Sequence, residues 1–405
     1  MGNYLKNMSA KKSKEYTFPD TLEEFGYGFN DAGQLRHLET KEPFQFQVRE
    51  DDLEYNQKRY EAMGEVITDM VYSMMEKDTR LQRISLPKDA KENEPQTFFF
   101  MSNDIMTARR LMILIHGSGA VRAGQWARKL IINDCLDSGT QLPFIRWAQE
   151  HGFSVIVANP NLNRANGERT LIRGNSSPEE HMETLWTEYV AKSQAKDIAI
   201  VAHSYGGVST MELAENHLED FNKRVKAVAL TDSVHKFAHQ KSSEQLINFY
   251  QQRARNWASA GSQDPLDSPL DSRMDFCPTV SAGTDRHDYT SYSSMTSIFK
   301  FIEEQFSGSK KKTDSVNKSK SSSVDPVPKA EKDKANENVK KSTDSAAAAL
   351  ESSAGETTEK EDTSNTQEML SQQDTEAMSQ DTNSQGATSD IEMDSQGPTS
   401  PKSEL

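Results

Sequence analysis

Five short apolar runs set the frame: LMILIHG (111–117), FSVIVANPN (153–161), DIAIVAHS (197–204), KAVALTDS (226–233) and PTVSAGTD (278–285). Each is too short for a helix, lacks the alternation of a half-buried strand, and ends in Gly, Asn, Asp, Ser or His. Strands of that kind are buried on both faces. Helical stretches separate or flank them: QWARKLIIND, LPFIRWAQEHG, PEEHMETLWTEYVAKS, GVSTMELAENHL and EQLINFYQQRARNWA. Before the third of these stretches, Ser177-Pro178-Glu179-Glu180 reads as an N-cap serine, a proline in the first turn and a glutamate closing a capping box. Apolar strands alternating with amphipathic helices predict an α/β fold, a mostly parallel sheet covered by helices on both faces. In such sheets ligands collect beyond the carboxyl ends of the strands, where the polar ends of these runs lie.

The run AHSYG (202–206) fits the nucleophile-elbow pattern G-x-S-x-G, with Ala202 in place of the first glycine. A strand that turns abruptly into a helix lifts Ser204 above the sheet and tolerates only small residues two positions away. It also places the Tyr205 N–H at a helix start, where a developing oxyanion is stabilised. The earlier His116-Gly117-Ser118-Gly119 matches an oxyanion loop, with the Ser118 N–H as second donor and Gly117 as the near alternative. A serine hydroxyl needs a base, and the base needs an acid to fix its tautomer. The chain order of such enzymes is Ser, acid, His, which selects His287 after the last strand run. Asp232 is the acid candidate, with Asp285 and Asp288 as rivals. His116 and His203 read as scaffold, and His235 as a satisfied strand-end residue.

Composition bounds the rest. A helix is predicted over 54–78, where Tyr60, Met63, Ile67, Met70, Val71 and Met74 share one face. Residues 1–50 form an N-terminal extension whose aromatics pack on the core, and residues 51–306 form the domain. Beyond Phe306 there is no aromatic, Cys or His; residues 307–405 are expected to be a disordered tail, Lys-rich over 310–341 and then acidic. The net charge of −15 argues against nucleic-acid binding by the whole chain. No apolar run has membrane-spanning length. Two cysteines point to a reducing compartment. No metal-ligand spacing or phosphate-binding loop occurs, so no metal or cofactor is expected. The terminal KSEL resembles a retrieval signal and Asn175 begins an Asn-Ser-Ser sequon, which together keep an endoplasmic-reticulum reading open.

Taken together, LMILIHGSGAVRAGQWARKLIIN, DSGTQLPFI, IVAHSYGG, AVALTDSVH and VSAGTDRHDYTSYSSMTSIFKF resemble the Arb-two (argonaute-binding-protein-like) domain family. The similarity is to its vertebrate cotranscriptional-regulator branch, the family with sequence similarity 172. It runs from FPDTLEEFGYGFNDAGQLRH to the helix near Phe306. The resemblance implies an α/β-hydrolase-like fold with Ser204 as nucleophile. It also implies argonaute, chromatin and splicing partners, a nuclear and cytoplasmic location, and no established substrate. Three functions stay open: a regulator with serine-esterase chemistry on an acyl or ester substrate, an inactive binding module, and a luminal serine hydrolase.

Overall fold

The computed structural model describes residues 16–165, 170–237, 240, 242–261, 263–271 and 276–318. Strands β1 (Tyr27–Phe29) and β2 (Leu35–His37) form a small antiparallel hairpin. Eight more make the central sheet: β3 (Gln82–Leu86), β4 (Thr97–Met101), β5 (Arg110–Ile115), β6 (Ser154–Val157), β7 (Asp197–His203), β8 (Val225–Thr231), β9 (Ala254–Ala258) and β10 (Thr279–Ser281). Their order is β10-β9-β8-β7-β5-β6-β4-β3. Neighbours from β10 to β6 run parallel, and only β4 and β3 are antiparallel. This is the α/β-hydrolase-like arrangement anticipated from the sequence.

Side-chain alternation along each strand feeds two cores. Met112 and Leu114 of β5, Val155 and Val157 of β6, and Ala199 and Val201 of β7 face one side. There they meet Met63, Ile67 and Val71 of the helix Leu53–Lys77 and Ile298 and Ile302 of the closing helix. Leu111, Ile113, Ile198, Ile200, Val228 and Leu230 face the other side, against the helices Pro178–Leu185, Gly206–Asn216 and Glu244–Arg253. Burying a side chain of this size stabilises the fold by about 1.5–3 kcal/mol. Near the N-terminus, Tyr27, Phe44 and Phe46 are buried around Tyr60.

Four sequence expectations need adjusting. The stretch 244–258 is not one helix: it stops at Arg253, and Ala254–Ala258 becomes β9 between β8 and β10. Helical periodicity cannot separate a short buried run from a helix turn. The open hydrogen-bonding edge of β8 and the complete burial of Trp257 decide it. The capping box at Ser177 is half formed. Its Oγ accepts from the Glu180 N–H at 3.1 Å, but the Glu180 carboxylate reaches back to the Ser176 N–H at 2.7 Å. The Asn175 sequon is no open acceptor site, because Asn175 is fully buried and its amide donates to the Leu162 carbonyl. The closing helix, Met295–Lys318, runs on past Phe306. Residues 319–405, with the KSEL end, lie outside the described residues.

Candidate functional site

From β5 the chain passes to β6 on one side, then returns to β7 on the other. The strand order reverses there, and in sheets of this kind ligands bind at such a switch point, beyond the carboxyl ends of the strands. Ser204 stands at the top of β7 with φ +51°, a left-handed conformation that a non-glycine residue adopts only under constraint. The constraint is visible. The Ser204 N–H donates to the Thr231 carbonyl at 3.0 Å, and the Ser204 carbonyl accepts from the Gly207 N–H at 3.1 Å, starting the helix Gly206–Asn216.

Small neighbours make the bend possible. A Cβ on Gly206 would lie 2.8 Å from the His116 carbonyl oxygen and 2.9 Å from that of Ile115. Both are backbone and cannot swing aside. Gly206→Ala is therefore expected to destabilise the fold by about 1–3 kcal/mol, the usual cost of overpacking. Urea unfolding measures this, and an unchanged midpoint would contradict so close an approach of β5 to the elbow. A Cβ on Gly117 would sit 2.9 Å from Ser204 Cβ. The oxyanion-type loop thus touches the serine because residue 117 has no side chain. Ala202 is fully buried between Ile115 and Leu230, which explains why a methyl group suffices there.

Asp232 follows β8 in the same strained manner, with φ +45°. Its N–H donates to the Trp257 carbonyl at 2.7 Å, and its carboxylate accepts from the Ser259 N–H at 3.1 Å and the Ser259 hydroxyl at 2.6 Å. His287 Nδ1 completes the set at 2.8 Å from Oδ2. Burial pushes the Asp232 carboxyl up, but the bonds from His287 and Ser259 outweigh it and hold the group below the usual carboxylate range. Asp288 instead pairs with Arg286 at 3.3 Å and Lys129 at 3.8 Å. Of the three acids, Asp232 is the one bonded to the His287 ring; no such bond joins Asp285 among the described residues.

Ser204 is only 2% exposed, whereas the His287 side chain is 44% exposed. The imidazole is therefore open to solvent and the serine is covered. Among the described residues Ser204 Oγ makes no hydrogen bond. The ring of His203 lies 4.8 Å from that of His287, centroid to centroid. His203 Nδ1 lies 3.0 Å from the Thr231 carbonyl oxygen, as a scaffold histidine should. Burial, helped by the nearby His287, drives its pKa down to about 3.

The loop after β5 is held from behind. Asn161, at the end of the turn Asn159-Pro160-Asn161 beyond β6, donates its amide to the carbonyls of Gly117 at 2.9 Å and Gly119 at 3.1 Å. His116 Nδ1 lies 2.8 Å from the same Gly117 oxygen. The N–H groups of Tyr205 and Ser118 make no hydrogen bond among the described residues and remain available as donors. Sequence reasoning missed Asn161; the polar end of the second apolar run was its only signal. His181 lies deeper still, with Nε2 accepting from the Asn159 N–H at 2.9 Å. Burial lowers His116 to about 4 and His181 to about 3. Elsewhere His217 bonds Glu183 and His235 bonds Ser233, while His239 lies outside the described residues. No cluster of metal-ligating side chains occurs among the described residues, and no helix there is long and apolar enough to cross a membrane.

Comparison with known proteins identifies relatives of the chain. The Arb2 domain profile matches residues 18–171 and 163–266. The mouse protein named cotranscriptional regulator ARB2A is 44% identical over 352 residues, covering 74% of this chain and 84% of its own. A Caenorhabditis elegans FAM172 family protein homologue is 35% identical, covering 71% and 88%. Among solved structures, a histone deacetylase from Saccharomyces cerevisiae aligns with a TM-score of 0.43 at 16% identity, covering 60% of this chain and 97% of that one. A Rhodococcus hydrolase, 2-hydroxy-6-oxo-6-phenylhexa-2,4-dienoate hydrolase, aligns with a TM-score of 0.23 at 15% identity, covering 42% and 57%. With the profile spanning more than half of its length and relatives above 30% identity across two thirds of it, the chain belongs to the Arb2 domain family.

Proposed function

We propose that this chain is an α/β-hydrolase-fold regulatory protein that retains serine-esterase-type chemistry. The observation carrying the proposal is the Asp232–His287 pair, bonded at 2.8 Å, together with a serine in a left-handed elbow. Ser204 Oγ attacks an acyl carbonyl while His287 Nε2 takes its proton. Asp232 fixes the tautomer by accepting from Nδ1–H. The N–H groups of Tyr205 and Ser118, with Gly117 as the alternative to Ser118, receive the oxyanion. His287 then protonates the leaving alcohol, and water attacks the acyl-enzyme with His287 as base. No metal or cofactor enters this scheme. The nucleophile–base contact is the one still to close, and such contacts tighten when substrate fills the site.

A fluorophosphonate probe on the folded full chain tests this. Labelling at Ser204 that disappears in Ser204→Ala is the expected outcome. A folded chain that stays unlabelled, or labels equally after the substitution, removes the enzyme.

The unbonded Ser204 Oγ favours a second reading, in which the fold persists as an inactive binding module. Relatives named cotranscriptional regulators support a nuclear setting for either reading, with argonaute, chromatin or splicing-associated proteins as partners. Under the second reading Ser204→Ala leaves partner capture from nuclear extract intact. Loss of capture on that single change counts against it. The luminal reading draws support only from the terminal KSEL, since Asn175 is buried.

A further inference from the structure

At the amino ends of β5, β7 and β8, on the opposite edge of the sheet from Ser204, lies a hollow of about 930 Å³. Arg109, Lys196, Lys223, Arg224 and Lys226 line it, against the two acids Asp197 and Asp220. Both acids are already engaged: Asp197 with Arg109 at 3.2 Å, and Asp220 with the buried Arg224 at 2.9 Å. Among the described residues no carboxylate lies within ion-pair distance of Lys196, Lys223 or Lys226. Lys226 is half-buried, and burial together with the neighbouring Arg253 pushes its amine down. Three lysines with no carboxylate at ion-pair distance, one of them partly desolvated and only partly offset by Asp197, make this edge a receptor for anions within an acidic protein.

We infer that its occupant is the acidic end of this same chain, residues 342–405. That segment carries fourteen Asp and Glu residues against Lys360 and Lys402 only. The closing helix passes the same edge of the sheet at Phe306 before it runs on to Lys318. In the closing helix, Phe306 packs on Phe153 and receives the Arg110 guanidinium 5.9 Å from its ring centre, and Arg110 adjoins Arg109 of the hollow. Residues 319–341 separate that helix from the acidic segment in sequence, and a flexible linker of their length would span on the order of 25–30 Å. A tethered segment binds at high effective concentration, so individually weak ion pairs suffice.

Zero-length carbodiimide crosslinking of the full chain tests the assignment, using a mixture of isotopically light and heavy copies. The expected products join Lys196, Lys223 or Lys226 to carboxylates of 342–405 within one copy. Their yield is expected to fall several-fold between low salt and about 0.5 M salt, as screening shortens the reach of charge. Products that join light to heavy copies overturn the inference, as do products spread evenly over exposed lysines. So do products confined to the lysines of 310–341, the rival partner closest in sequence. As a second measurement, Lys196→Glu combined with Lys223→Glu is expected to raise protease cleavage within 342–405 several-fold at low salt; an unchanged rate also overturns it.

Discussion

Asp232→Asn is expected to slow capture of a fluorophosphonate by Ser204 about 10⁴-fold at neutral pH, with the fold preserved. The carboxylate accepts from Ser259 twice and from His287 Nδ1, so its oxygens define which ring nitrogen bears the proton. An amide of the same shape can turn its NH₂ toward Nδ1. The ring then carries its proton on Nε2, the atom that must receive one from Ser204. Orientation survives and the tautomer does not. Reaction rates compared with urea midpoints check this, and a slowing of less than about tenfold would leave Asp232 as a structural residue alone.

Acidification is expected to destabilise the domain well above the range in which its carboxylates protonate. His116, His181 and His203 are buried and neutral, with pKa values driven by burial from 6.5 to about 4, 3 and 3. In the unfolded chain all three regain the ordinary value. Above pH 6.5 both states are unprotonated at these sites and nothing is lost. As pH falls from 6.5 toward 4 the unfolded chain binds protons that the fold refuses, so stability falls with pH. Each histidine costs about 1.4 kcal/mol per pH unit in that window. By pH 5 the three together cost on the order of 4–6 kcal/mol, a large share of the 5–15 kcal/mol typical of a domain. Urea unfolding at pH 7.5, 6 and 5 measures the loss. His181→Asn is expected to remove about a third of it, since an amide oxygen can still accept from the Asn159 N–H. Equal midpoints at pH 7.5 and 5 would rule out buried neutral histidines.

Much of this site was legible in the sequence because its parts sit where the chain has few options. An apolar run followed by Ser204 and two glycines has no other comfortable backbone than a strand turning into a helix. Gly117, which a Cβ would press onto Ser204, announced the loop that meets it. The seventh strand of the large sheet was hidden because ARNWA carries two alanines, an arginine and an asparagine, and follows a true helix without a break. Only the unfilled edge of β8 reveals it. The choice among Asp232, Asp285 and Asp288 could not be made from spacing, since the bond to His287 spans 55 positions in the chain. Asn161 was unreadable for a similar reason: its partners are carbonyl groups, which leave no trace in residue type.

Asn161 has an effect larger than its size suggests. Each peptide unit is a rigid plate whose C=O and N–H point in opposite directions. Clamping the oxygen of residue 117 from below therefore aims the hydrogen of residue 118 upward, toward the elbow. A loop made mostly of glycine would otherwise spin freely about its bonds. One amide, delivered from the far side of the neighbouring strand, turns that loose hinge into a compass needle.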